Sequence, residues 1–247
     1  MVCFPHAGGA AGYYHALLGN SLAGSGMAAV QYPGRHDRLA EPCPGSVREL
    51  AEGVLPELRE HAAGRPLVLF GHSMGALVAF EAAHLLREQG LTPAALVVSG
   101  QQAPHHPASA DAEGVDRLSD EDLVARLVRL GGTAADAFSD PEMLDLVLPA
   151  TRADFRAAAG YTYTSRPPLP VPVTAIVGDR DSGVSEAGAG SWSTHTTAGF
   201  ALRVLPGGHF YLAEAANTRQ VVEAIRAALP PEPRRAPASA WFRHGAP

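Results

Sequence analysis

Cysteine is almost missing from this chain of 247 residues, where only Cys3 and Cys43 occur. Two thiols cannot build the disulfide framework of a small secreted scaffold, and Cys3, inside an apolar run, reads as a small buried hydrophobe. An excess of positive charge is also lacking. Lys and Arg number 19 against 25 Asp and Glu, a formal net charge of −6. That leaves no electrostatic footprint for nucleic acid and no polybasic anchor for a membrane. No apolar run is long enough to span a bilayer, and the chain opens Met1-Val2-Cys3-Phe4-Pro5 rather than with a basic and then apolar leader. The expected location is therefore cytoplasmic. Metal-ligand spacing is absent as well: the 11 histidines are scattered, and His105-His106 has no acidic neighbour in sequence. Neither a G-x-G-x-x-G nor a G-K-[ST] loop is present to cradle phosphates. No metal and no cofactor are expected.

What remains is an ordinary globular composition, 46% hydrophobic and 18% charged. A chain of this size buries a sizeable core as one domain. Short apolar runs alternate with helical patterns, which implies a mostly parallel sheet with helices on both faces. Strands are expected at Val2 to Phe4, Ala28 to Gln31, Leu67 to Gly71, Leu96 to Ser99, Val173 to Val177 and Leu202 to Leu205. Helices are expected near Tyr13 to Leu22, Val47 to His61, Met74 to Gln89 and Asn217 to Leu229. Ser46 caps the second of these, with Glu49 at the capping-box position. Residues 101–168 break the rhythm, with helical patterns at Asp120 to Leu130 and Pro141 to Ala159. The economical reading is an inserted helical lid over the carboxyl ends of the strands, where ligands bind in such sheets. One domain then covers residues 1–229. The Pro-, Ala- and Arg-rich stretch 230–247 reads as a tail.

The chemistry centres on Gly71-His72-Ser73-Met74-Gly75. This pentapeptide follows an apolar strand and opens a helical run, the context of a serine nucleophile elbow. A serine hydroxyl needs a base, and His209, just beyond the last strand, is the candidate. His61, His84, His195 and His244 fit less well, and the His72 ring is expected to order the loop instead. Of two acids after the fifth strand, Asp181 is favoured over Asp179, which is expected to bond loop backbone or pair with Arg180. The chain order Ser, Asp, His is the one this fold uses. The oxyanion of the tetrahedral intermediate requires two backbone donors. The N–H of Met74 is one. The other comes from the loop Pro5-His6-Ala7-Gly8-Gly9, with Ala7 chosen and His6 and Gly8 left open as neighbours.

With these residues in place, the chain resembles the type II thioesterases of polyketide and nonribosomal peptide synthases, members of the α/β-hydrolase superfamily. The resemblance runs through nearly all of residues 3 to 229. It rests on Cys3-Phe4-Pro5-His6-Ala7-Gly8-Gly9, Gln31-Tyr32-Pro33-Gly34-Arg35, Phe70 to Ala76, Gly131-Gly132-Thr133, Leu148 to Phe155 and Pro206-Gly207-Gly208-His209-Phe210. It implies nucleophile Ser73, acid Asp181, base His209 and oxyanion donors Met74 and Ala7. It further implies hydrolysis in trans of aberrant or stalled acyl groups from the phosphopantetheine arm of an acyl or peptidyl carrier protein, by a monomer. The alternatives that share the triad are a medium-chain acyl-carrier-protein thioesterase and a general carboxylesterase or acyltransferase. Arg35 and Arg38 are candidates for a local basic patch that would dock the acidic carrier protein. Three departures from the family pattern stand out. The usual first edge strand is missing, which would expose a sheet edge. Asp181-Ser182 stands where Asp-Pro is usual. Residues 238–243 vaguely resemble the beginning of such proteins.

Overall fold

Alternating side chains along each strand divide the core into two layers, one on either face of a sheet. The computed structural model describes residues 1–22, 26–62, 64–107, 114–115, 118–131 and 140–229. The tail 230–247 and Gly132-Thr133 of the glycine motif lie outside these residues. Six strands run β1 Val2–Phe4, β2 Ala28–Ala29, β3 Val68–His72, β4 Ala95–Ser99, β5 Val173–Gly178 and β6 Phe200–Leu205. They are ordered β2-β1-β3-β4-β5-β6, every pair parallel. Val2, Phe4, Leu69, Leu96, Val98, Val173 and Ala175 point to one face, and Cys3, Val68, Phe70, Ala95, Val97 and Ile176 to the other. This is the period-2 pattern of strands buried on both sides. The two edges are β2 and β6, and β1 lies inside the sheet.

Helices α2 Val47–Gly53, α3 Leu55–Ala62 and α4 Met74–Glu88 cover the first face. Helices α1 Ala11–Leu18 and α8 Ala215–Ala228 cover the second. The expected single helix Val47 to His61 is in fact two, broken at Val54. Pro56 explains the break: it has no N–H for the Glu52 carbonyl, and its ring collides there, while Gly53 gives the preceding turn its freedom. The Ser46 hydroxyl accepts from the Glu49 N–H at 3.1 Å, and the Glu49 carboxylate reaches back to the Gly45 N–H at 2.7 Å. The short helix α7 Glu186–Gly190 and the 3-10 turn Ser191–His195 were not legible in a run of Ala, Gly and Ser without an apolar stripe.

The inserted segment holds α5 Asp120–Leu130 and α6 Pro141–Ala159. Val115, Leu123, Leu148 and Phe155 form its small core, and Ala7 of the loop after β1 packs against it. The insertion thus sits over the carboxyl end of β1. At β1 and β3 the strand order reverses direction, because the chain leaves β1 toward β2 and later leaves β3 toward β4. Such a switch point opens a crevice between two loops at the carboxyl ends of the strands. Here those loops are 5–9 and the turn at Ser73. No helix among the described residues is long and apolar enough to cross a membrane.

Candidate active site

The turn from β3 to α4 is strained at one residue. Ser73 has φ 54° and ψ −126°, one of only two non-glycine residues with positive φ among those described. Such a conformation costs about 1–3 kcal/mol and persists only where its surroundings over-determine it. Its surroundings here are two glycines. A Cβ on Gly71 would run into the Gly75 carbonyl, and one on Gly75 into the carbonyl of Phe4. The Ser73 N–H is held by the Ser99 carbonyl at 2.8 Å, and the Ser73 carbonyl accepts from Ala76 at 2.9 Å. Helix α4 starts at Met74, so its positive end faces the serine.

His209 lies past β6, and its loop is pinned from both sides by one buried side chain. Asn217 Nδ2 donates to the carbonyls of Pro206 at 2.7 Å and Tyr211 at 3.0 Å. The His209 ring lies beside that of His72, with centroids 5.1 Å apart and planes tilted by 42°, which brings it to the elbow. His209 Nδ1 contacts Asp181 Oδ2 at 2.8 Å, and the carboxylate side chain is 1% exposed. A carboxylate only accepts, so Nδ1 carries the proton and Nε2 of the neutral ring is left as the acceptor. The second oxygen, Asp181 Oδ1, accepts from the Gly183 N–H at 2.9 Å. Asp179 is engaged elsewhere: its Oδ1 accepts from the Gly207 N–H at 2.8 Å, with Arg180 3.9 Å away. Ser73 and His209 do not hydrogen-bond directly among the described residues, a contact that in serine hydrolases often tightens only around substrate.

In the loop after β1, the Gly8 N–H is already committed to Asp154 Oδ2 at 2.8 Å, and the Gly9 N–H to the His6 carbonyl at 2.9 Å. Of the open alternatives Gly8 is therefore removed as an oxyanion donor. The docking expectation for Arg35 is overturned. Its side chain is 7% exposed and forms a two-point ion pair with Asp154, so it cannot greet a partner at the surface. Arg38 is bound to Glu41 and to the Gln31 carbonyl.

Sequence reasoning missed a polar chain beneath the site. His72 Nδ1 contacts Ser99 Oγ at 2.8 Å, and Ser99 Oγ contacts the Tyr211 hydroxyl at 2.6 Å. A serine closing β4 and a tyrosine two positions after His209 were the available signals. Burial, with the neighbouring His209 charge, holds His72 well below the usual histidine range. Burial likewise pushes His6 down to about 3, His84 to about 3 and His195 to about 4. Burial also pushes the Cys3 thiol up to about 12, so it stays a protonated hydrophobe. No group of three or more His, Cys, Asp or Glu among the described residues could hold a metal ion.

The buried histidines set a pH dependence. Unfolded imidazole titrates near 6.5. Between that value and the lowered folded values, the unfolded chain binds more protons, so stability falls as pH drops below about 6.5. Each such histidine contributes on the order of 1 kcal/mol per pH unit. The melting temperature is expected to fall steadily from pH 7 to pH 5, and less steeply in His195→Gln. A melting temperature flat across that range would contradict the burial argument.

Comparison with known proteins identifies the family. Residues 1–229 match the family described as "Thioesterase domain". The chain is 43% identical over 213 residues to the thioesterase PikA5 of Streptomyces venezuelae, covering 86% of this chain and 75% of that one. It is 40% identical over 242 residues to a Streptomyces griseus protein named "Probable cadicidin biosynthesis thioesterase", covering 97% of this chain but only 64% of that relative's length. Among solved structures, the type II thioesterase BorB from the borrelidin biosynthetic cluster superposes with a TM-score of 0.81 at 41% identity, covering 93% of this chain and 91% of that one. The chain therefore belongs to the thioesterase family of α/β-hydrolases, and within it to the type II thioesterases of polyketide and nonribosomal peptide pathways.

Proposed function

We propose that this chain hydrolyses aberrant or stalled acyl groups from the phosphopantetheine thiol of acyl or peptidyl carrier proteins, through an acyl intermediate on Ser73. The observation that carries this reading is the 2.8 Å contact between His209 and the buried Asp181 carboxylate, beside the strained Ser73 turn. His209 Nε2 takes the Ser73 proton as Oγ attacks the thioester carbonyl. The negative charge that develops on oxygen meets the N–H groups of Met74 and Ala7, donors aimed where the charge appears. The tetrahedral intermediate collapses with cleavage of the C–S bond, and the imidazolium returns its proton to the departing thiolate. Water then enters, and His209 removes a proton from it as its oxygen attacks the acyl carbonyl. The acyl–oxygen bond to Ser73 breaks, releasing a carboxylic acid while the imidazolium returns its proton to Ser73 Oγ. Asp181 keeps the imidazole in the required tautomer and stabilises its charged form.

The names of the relatives favour biosynthetic thioesters over oxygen esters, which the same residues could also cleave. The test compares release of acetyl, propionyl and longer acyl groups from a loaded carrier protein with hydrolysis of simple p-nitrophenyl esters. Carrier-bound thioesters are expected to be preferred in kcat/KM by at least about 10-fold, equivalent to about 1.4 kcal/mol. Efficient ester turnover with no release from carrier protein would reject the assembly-line role in favour of a general carboxylesterase.

A further inference from the structure

Three segments far apart in sequence meet at one buried ion pair beside the loop that follows β1. Arg35, from the loop after β2, donates Nη1 to Asp154 Oδ2 at 2.7 Å and Nη2 to Asp154 Oδ1 at 2.8 Å. Asp154 stands on α6 of the inserted segment. Both side chains are buried, 7% and 3% exposed. Their remaining bonds go to the loop: the Gly8 N–H donates to Asp154 Oδ2 at 2.8 Å, and Arg35 Nη1 also donates to the Gly9 carbonyl at 3.0 Å. Thr151, one turn earlier on α6, fills the space against Gly8, where a Cβ would stand 2.9 Å from its Oγ1. Ala7 itself packs into the small core of the insertion.

A buried ion pair is a poor source of net stability, because desolvation of the two ions offsets much of their attraction. Its effect here is directional. With the Gly8 N–H turned to Asp154 and the Gly9 carbonyl turned to Arg35, the peptides that follow Ala7 are held. The planar peptide that carries the Ala7 N–H, whose His6 carbonyl accepts from the Gly9 N–H at 2.9 Å, then has little rotational freedom. Its N–H is not among the bonds that tie the loop down. We propose that Arg35 and Asp154 are positioning residues that aim the Ala7 N–H at the developing oxyanion, and that they make this aim depend on the seat of α6. The proposal rests on the acyl-serine reading above. It adds that the insertion helps assemble the catalytic centre as well as covering it.

The experiment uses the full chain and three variants: Asp154→Asn, Arg35→Lys and the double variant Arg35→Met/Asp154→Leu. The double variant removes both buried charges together, so it avoids leaving one of them unpaired. For each variant, kcat and KM are measured with whichever thioester or p-nitrophenyl ester the wild type turns over. Inhibition is measured with an alkyl boronic acid, which forms a tetrahedral adduct on Ser73, and with a non-hydrolysable amide analogue of the acyl group. A misaimed donor is expected to lower kcat about 10- to 100-fold, with KM changed less than about threefold. Boronate affinity is expected to fall by a similar factor and amide affinity to stay level. Arg35→Lys, which keeps the charge pair but loses the two-point geometry, should lie between wild type and Asp154→Asn. Wild-type kcat in the folded double variant would overturn the proposal, as would equal weakening of boronate and amide. Failure of the acyl-serine reading would show differently, as an undiminished rate in Ser73→Ala.

Discussion

Ser73→Ala is expected to lower acyl-thioester hydrolysis by about 10⁵- to 10⁶-fold while leaving the fold intact. The removed hydroxyl supports nothing structural: the turn is held by the backbone bonds of Ser73 to Ser99 and Ala76 and by the two flanking glycines. On the proposed mechanism, what disappears is the bond-forming atom, and with it the covalent intermediate that splits one difficult step into two easier ones. The variant would then act only through the oxyanion donors and substrate positioning, which in comparable hydrolases leaves a small rate above the uncatalysed one. Single-turnover assays followed by intact-protein mass measurement provide the check. The wild type mixed with an acyl thioester should show a transient mass increase equal to the acyl group, and the variant none. A variant that keeps its rate would remove Ser73 from the mechanism.

The second large effect belongs to Asp181. Asp181→Asn is expected to lower kcat by about 10⁴-fold with little change in KM. The amide preserves the shape of the side chain but presents an N–H₂ where Nδ1–H needs an acceptor, or else drives the imidazole into the tautomer that blocks Nε2. Either way His209 cannot take the serine proton. Asp179→Asn is the informative contrast. Asp179 Oδ1 accepts only the Gly207 N–H, a bond that an asparagine oxygen also makes, and its side chain is 46% exposed. A change of less than about 10-fold is expected there. Comparable losses in both variants would mean that the loop, rather than one carboxylate, is what matters.

Much of the architecture was legible in local patterns. Helices α5 and α6 begin at Asp120 and Pro141 and end at Leu130 and Ala159, as their spacing predicts, because a capping Ser119 and Asp140 and a terminal Gly131 mark their limits. The strands alternate across the sheet as their apolar runs imply. Errors came where a local signal was overridden or absent. Pro56 split one amphipathic stripe into two helices, and β2 ends at Ala29, two residues short of the expected Gln31. The small-residue run at 186–195 offers no periodicity to read.

The candidate site divides in the same way. A pentapeptide between an apolar strand and a helix, and a histidine after the last strand, are local facts, so Ser73, Met74 and His209 could be named from the chain alone. Asp179 and Asp181 lie two residues apart, and the sequence favours Asp181 only through its place further into the loop and the family resemblance. Only the path of their loop decides that one meets the Gly207 N–H and the other the His209 ring. Arg35 is the clearest case. Following Pro33-Gly34, it reads as a solvated loop arginine, yet its partner stands 119 residues away on an inserted helix. Hydrogen-bonded turns, caps and hydrophobic stripes depend on neighbours within a few positions, and the sequence by itself determined those: the layered sheet, the elbow and its family. Which loop N–H is spent on Asp154 and which arginine is buried depend on contacts across the fold. Tertiary structure alone decided them, because the desolvation of a charge and the direction of a hydrogen bond exist only once distant segments have packed together.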